Sequence, residues 1–257
     1  MDPITSYIRD LALKSVEVEF VASGERCNAT AFFFTYDDQL FLVTNRHVVT
    51  DADEDLKVHI RKASDWFDTE RKSIALESDG EQAWLTSGEH PSADIAVIPL
   101  DFTIDEIGNA TYSTKDFLDN FYRVNAGQSA LAVGYPSWVR DHKTRFPVIR
   151  DSRIATPFGH FYNGEPCFLT DARSHTGLSG SPVLIPGTDV GSSGGHVELA
   201  GTGPNGEQIV KLENTMLLGV HSERINQPEG EYLAEGPLDL NRVWHIQLVE
   251  EIIESQV

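Results

Sequence analysis

The sequence predicts an all-β protein of the sandwich or barrel kind, closed by a C-terminal helix. Three observations predict it. Short apolar or alternating segments recur at turn-punctuated spacing along most of the 257 residues. A polar, mixed stretch at 101–127 separates them into two groups. The last segment abandons period two for helical spacing.

The elements follow in order. Val16–Val21 alternates as V-E-V-E-F-V. Thr30–Thr35 and Leu40–Thr44 flank the turn-like Y-D-D-Q and read as a hairpin. Val58–Arg61, Ala83–Thr86 and Ile95–Leu100 are further short strands. In the second half Ser129–Val133, Cys167–Asp171, Pro182–Ile185 and Met216–His221 repeat the texture. Leu240, Val243, Trp244, Leu248, Val249, Ile252 and Ile253 sit near helical spacing, with Asp239 as the expected N-cap. The resulting division is 1–105 for the first unit and 106–127 for a linker, with a helical piece at Lys115–Tyr122. A second unit follows at 128–235, and a helix at 236–257. Residues 187–210, rich in Gly and Ser, read as a surface loop or extended hairpin.

Composition excludes several functions. A formal net charge of −20 with no Lys/Arg cluster argues against nucleic acid and anionic membranes, which need a basic face. No apolar run reaches the ~20 residues that span a bilayer. The start, M-D-P-I-T-S-Y-I-R-D, lacks a basic region followed by an apolar one, so a cytoplasmic location is expected. Cys27 and Cys167 then read as reduced packing thiols. D-A-D-E-D at 51–55 begins like a calcium loop but has Leu56 at the sixth position and Lys62 at the twelfth. The nine histidines show no paired metal spacing, and G-S-S-G-G at 191–195 lacks the lysine of a phosphate loop. No metal and no cofactor are expected.

Three segments carry chemistry: T-N-R-H-V-V at 44–49, S-A-D-I-A-V at 92–97 and G-L-S-G-S-P at 177–182. A serine hydroxyl is a poor nucleophile. It needs a base to take its proton, and the base needs a partner that fixes its tautomer. His47 follows an apolar strand that would aim its ring. Asp94 opens another, where a buried carboxylate needs a donor such as an imidazole N–H. Ser179 sits in a tight turn between Gly177 and Gly180, whose backbones can take conformations closed to a Cβ. The N–H groups of Gly177 and Ser179 would then face a developing oxyanion, worth about 3–4 kcal/mol per donor in other enzymes. The order His, Asp, Ser is that of the chymotrypsin class. It is neither the Ser-first order of α/β-hydrolases nor the Asp-first order of subtilisins, and Ser181 breaks the G-x-S-x-G pattern.

These segments resemble those of the trypsin-like serine peptidases. G-L-S-G-S-P-V is similar to the G-N-S-G-S-P-V of bacterial glutamyl endopeptidases and HtrA-type peptidases. The resemblance spans roughly Val16 to Ile225 and implies two six-stranded antiparallel β-barrels with the site between them. It also implies a protein or peptide substrate, the triad His47, Asp94 and Ser179, and an oxyanion hole from Gly177 and Ser179. Leu178 stands where digestive members carry the aspartate that answers zymogen cleavage, so that switch is absent. The disulfides of secreted members are missing as well. L-L-G-V-H-S at 217–222 aligns with the wall of the family's specificity pocket. His221 there matches the histidine that binds a Glu or Gln side chain before the cleaved bond. Ser174 falls where glutamyl endopeptidases have a pocket hydroxyl, and Ser222 belongs to the same substrate-binding group. The expectation is a serine endopeptidase that favours Glu or Gln at that position. Two rivals remain: a silent domain that binds peptides, and a latent enzyme opened by a regulatory protein partner.

Overall fold

The computed structural model describes residues 10–62, 65–108, 110–118, 124–139, 141–172, 176–185, 198–202, 208–211, 215–225 and 239–255. The described residues form seventeen strands: β1 (Ser15–Ala22), β2 (Glu25–Tyr36), β3 (Gln39–Thr44), β4 (Leu56–Lys62), β5 (Asp65–Ile74), β6 (Glu77–Ser78), β7 (Glu81–Gln82), β8 (Ala96–Pro99), β9 (Tyr112–Ser113), β10 (Ser129–Gly134), β11 (Val148–Ile154), β12 (Cys167–Asp171), β13 (Pro182–Ile185), β14 (Glu198–Thr202), β15 (Gln208–Lys211), β16 (Met216–Arg224) and β17 (Leu240–His245). The helices are short: α1 over 10–14, α2 (Arg46–Thr50) and α3 (Gln247–Glu254).

Local chemistry explains the hairpins. Ser23 and Gly24 both have positive φ, as do Asp37 and Asp38 and then Asp79 and Gly80. Two consecutive left-handed residues make the turn whose twist matches that of the flanking strands. The Y-D-D-Q turn expected between β2 and β3 is therefore present, with Tyr36 paired to Gln39. Gly134, Gly177 and Gly180 differ from these turn residues, because each lies where chains approach too closely for a Cβ.

The N-terminal half is a seven-stranded sheet in the order β5-β4-β1-β2-β3-β8, with β9 added in parallel to β2. It wraps the core of Val16, Val18, Ala31, Phe33, Leu42, Val58 and Ile98. The expected six-strand barrel is closed there differently. No ladder joins β5 to β8 among the described residues, and Leu85 pairs instead with Val97 of β8. Ala83–Thr86 is thus a bridge at Leu85, not a strand. The C-terminal half is a closed barrel, β10-β11-β12-β17-β16-β13, around Ala130, Ile154, Phe168, Val183, Leu218 and Val243.

The expected helix over 236–257 is corrected. Leu240–His245 is strand β17, which pairs with β12 on one side and β16 on the other and closes the barrel. Its Leu240, Val243 and Trp244 satisfy both periodicities, and barrel closure decides between them. Asp239 has φ +51 and turns the chain into β17; it caps no helix. Helix α3 begins only at Gln247. Its Leu248, Val249, Ile252 and Ile253 join Phe32, Phe34 and Val97 of the first half and Leu184, Val220 and Trp244 of the second in one core. This shared core, together with the Tyr36 hydroxyl donating to Glu254 at 2.5 Å, fixes one half against the other. Of the linker, Thr114–Asp116 forms one 3₁₀ turn, and residues 119–122 of the expected helical piece lie outside the described residues. Within 187–210, β14 pairs with β15 as an antiparallel hairpin.

Candidate active site

His47 lies in the first turn of α2, immediately after β3. Burial of the neighbouring Val48 and Val49 leaves its ring on the open side. Its Nδ1 is 2.7 Å from Asp94 Oδ2, and its backbone N–H donates to Asp94 Oδ1 at 2.9 Å. One carboxylate thus holds both the ring and the backbone of the same residue. Asp94 is itself fixed from the other half of the molecule, because Ser222 Oγ donates to Oδ2 at 2.6 Å. With a carboxylate as acceptor, the ring proton sits on Nδ1 and Nε2 is left as the base.

Electrostatics follow from this contact. Burial pulls the His47 pKa down, but the hydrogen bond and charge of Asp94 outweigh it and hold it above the ordinary value. Burial pushes Asp94 up, while its bonds to His47 and Ser222 hold it below the usual carboxylate range.

Ser179 comes from the opposite half. Its Oγ donates to the Ser222 carbonyl at 3.4 Å, so Ser222 touches both the serine and the aspartate. A register shift between His221 and Arg224 on β16 falls at this residue, and such irregularities re-aim side chains beside sites. The turn around Ser179 is clamped on both sides. Gly180 N–H donates to His221 O at 2.9 Å, His221 N–H to Ser181 O at 2.9 Å, and Ser181 N–H to Leu178 O at 3.0 Å. Neither Gly177 N–H nor Ser179 N–H donates to a carbonyl among the described residues, which leaves both able to serve a ligand. Gly177 (φ +94) and Gly180 (φ +83) are required here: a Cβ would stand 2.4 Å from Tyr135 O and 2.0 Å from Thr30 O, respectively.

Thr30, fully buried on β2, is a site residue that sequence reasoning missed. Its N–H donates to Ser179 O at 2.8 Å, its hydroxyl donates to Gly177 O at 2.8 Å, and the hydroxyl accepts from Tyr135 N–H at 2.9 Å. It pins the serine turn to the first half. The only signal was a threonine in an otherwise apolar run. Thr30→Val keeps the shape and orphans two backbone groups. It should cost about 2–3 kcal/mol in denaturant unfolding and lower turnover as the turn loosens.

The other sequence candidates divide. His221 is 3% exposed and burial pushes its pKa down to about 4, so it is neutral at neutral pH. Its imidazole, with Leu178, Arg150, Ser152 and Thr170, borders a cavity of about 10 Å³ behind the serine turn. Leu178, at the position of the activation aspartate of digestive members, is 2% exposed. Ser174 lies outside the described residues. Cys27 and Cys167 are free thiols, and Cys167 is pushed up to about 11 by burial.

Away from this site, Glu17, Glu19 and His59 bring their ligand atoms close enough to hold a metal ion. Arg145 Nη1 already lies 2.5 Å from Glu17 and 3.4 Å from Glu19, and Arg71 reaches Glu19 at 3.5 Å. The guanidinium groups supply the positive charge that an ion would bring.

A pair of packed β units, one holding a histidine against an aspartate and the other a serine in a glycine-flanked turn, defines the trypsin-like fold class. A family model described as a trypsin-like peptidase domain matches residues 29–190, and the chain belongs to that family. Solved structures agree in fold. The HtrA-type protease AlgW with a tripeptide is similar at TM-score 0.56 and 18% identity, over 97% of this chain and 62% of that one. A serine endoprotease from Yersinia pestis follows at 0.54 and 17%, over 98% and 65%. The protease Anisep from Arthrobacter nicotinovorans follows at 0.54 and 11%, over 95% of each. The chain spans less than two thirds of the length of the first two. No curated protein matches it.

Proposed function

We propose that the chain hydrolyses peptide bonds through an acyl-enzyme, with His47, Asp94 and Ser179 as its triad. The observation that carries this is the His47–Asp94 contact at 2.7 Å, joined to Ser179 through Ser222. His47 Nε2 takes the Ser179 proton as Oγ attacks the carbonyl carbon. The oxyanion forms against Gly177 N–H and Ser179 N–H. The histidine then gives its proton to the leaving amine, and water reverses the sequence to release the acid. Asp94 stays ionised throughout, as its lowered pKa favours.

The side chain before the cleaved bond is Glu or Gln in this reading. His221, on the wall of the small cavity beside Leu178, supports it. Incubating a denatured proteome with the purified chain should give cuts after Glu and Gln; cuts after Lys, Arg or large apolar residues would refute that preference. The substrate is a protein or peptide. We place the enzyme in the cytoplasm, a reading that the two free thiols support.

The pH dependence has a definite sign. The base must be neutral, so activity should rise through the His47 pKa, with the acid limb of kcat/KM above the ordinary histidine value of about 6.5. The raised His47 pKa contributes stability below its unfolded pKa and loses it as pH climbs through the folded one. The lowered Asp94 pKa contributes stability above its unfolded value, lost as pH falls through the folded one. A pH–rate profile alongside pH-dependent unfolding would check both.

A second reading is favoured by one observation: the Ser179 hydroxyl is directed at the Ser222 carbonyl at 3.4 Å. In that reading the chain is latent until a regulatory partner turns Ser179 towards His47. It expects little hydrolysis alone and recovery when the partner is added.

A further inference from the structure

The side chain of Arg150 sits on β11, a strand that faces the barrel interior at alternate positions. Val148, Arg150, Ser152 and Ile154 are the more buried set, and Ile149, Asp151 and Arg153 the exposed one. An arginine on the inner face is costly, because a guanidinium cannot shed its proton and must be paired when withdrawn from water. Yet Arg150 Nε is buried and has no hydrogen-bond partner among the described residues. The side chain borders the cavity behind the serine turn, together with Leu178, the neighbour of Ser179, and His221, the neighbour of Ser222. Ser152 and Thr170 add hydroxyls to the same wall.

We propose that Arg150 is the specificity-determining residue of this enzyme, its guanidinium completing its hydrogen bonds with the carboxylate of an acidic side chain that precedes the cleaved bond. The proposal rests on the peptidase reading above and names the group that selects Glu over Gln. Three features support it. A planar guanidinium matches a carboxylate and offers the charge-assisted bonds that an amide cannot return. The void of about 10 Å³ lies against both Arg150 and Leu178, the neighbour of Ser179, so a group that enters it meets the guanidinium. The other nitrogen base on this wall, His221, is held neutral by burial, which leaves Arg150 as the charge there.

The test uses the full chain and three matched peptides with Glu, Gln or Leu before the scissile bond. The unaltered enzyme should cleave the Glu peptide about 10- to 100-fold faster in kcat/KM than the Gln peptide, the range expected for one charge-assisted interaction. Arg150→Gln should bring that ratio to about one, read within one preparation so that any loss common to both peptides cancels. Arg150→Lys, which keeps the charge without the fork, should retain part of the preference. A second reading needs no variant. A fixed guanidinium charge keeps the Glu-to-Gln ratio flat between about pH 6 and 9, whereas a histidine charge lets it decay as pH rises. A strong Glu preference that survives Arg150→Gln, or that decays with pH, overturns the role of Arg150 and leaves the acidic preference standing. A ratio near one in the unaltered enzyme overturns the acidic preference itself.

Discussion

Replacing Ser179 by alanine should lower kcat by about 10⁶, leaving only what binding and the oxyanion donors supply. Among the described residues nothing else near the turn offers a comparable nucleophile. Ser181 is fully buried, and Ser222 is already engaged with Asp94. The fold should be indifferent, because among the described residues the Ser179 hydroxyl makes only the 3.4 Å contact with Ser222 O, while the backbone bonds of the turn come from Thr30, Gly180 and Ser181. Unchanged thermal unfolding with abolished turnover is the expected pair of results. A variant that unfolds early would point to a structural role for the hydroxyl that its contacts do not suggest.

Asp94→Asn should cost about 10⁴ in kcat and some stability as well. The carboxylate accepts from His47 Nδ1–H, from the His47 backbone N–H and from Ser222 Oγ. An amide has one acceptor oxygen for three donors, so its NH₂ must face at least one of them. Where it faces Nδ1, the ring takes the other tautomer and Nε2 carries the proton, which removes the base. The unfolding cost should be about 1.5–3 kcal/mol, that of a charge-assisted hydrogen bond, and should shrink as pH falls through the Asp94 pKa. Comparing kcat across pH in the variant checks the tautomer argument: a neutral ring that carries its proton on Nε2 should leave kcat low across the whole range in which the unaltered enzyme is active.

The two-unit β fold was legible in the sequence, and the candidate site residues stood out beside it. His47, Asp94 and Ser179 stood out because each sits where an apolar strand or a glycine pair demands a reason for a polar residue. The hairpin at Asp37–Asp38 was legible because two short polar residues between apolar runs have few alternatives. Strand β17 was not, since Leu240, Val243, Trp244 and Leu248 fit helical spacing and only the need to close a barrel between β12 and β16 chooses the strand. Strands β5 and β11 were missed because their exposed positions carry Asp, Glu, Lys and Arg, which dilute the alternation. Thr30 and Arg150 were invisible for a related reason. Each looks ordinary in its strand, and its meaning comes from partners far away in sequence: Gly177 for Thr30, and the wall shared with Leu178 and His221 for Arg150. The absence of an activation aspartate at Leu178 was legible directly, and the buried leucine there agrees.

The central claim is that Ser179 is an activated nucleophile. It is tested most directly by treating the full chain with a fluorophosphonate and locating the adduct by peptide mass spectrometry. The account predicts one adduct, on Ser179, formed faster as pH rises through the His47 pKa and absent in Ser179→Ala. An adduct on another residue, or labelling that persists in Ser179→Ala, would contradict it.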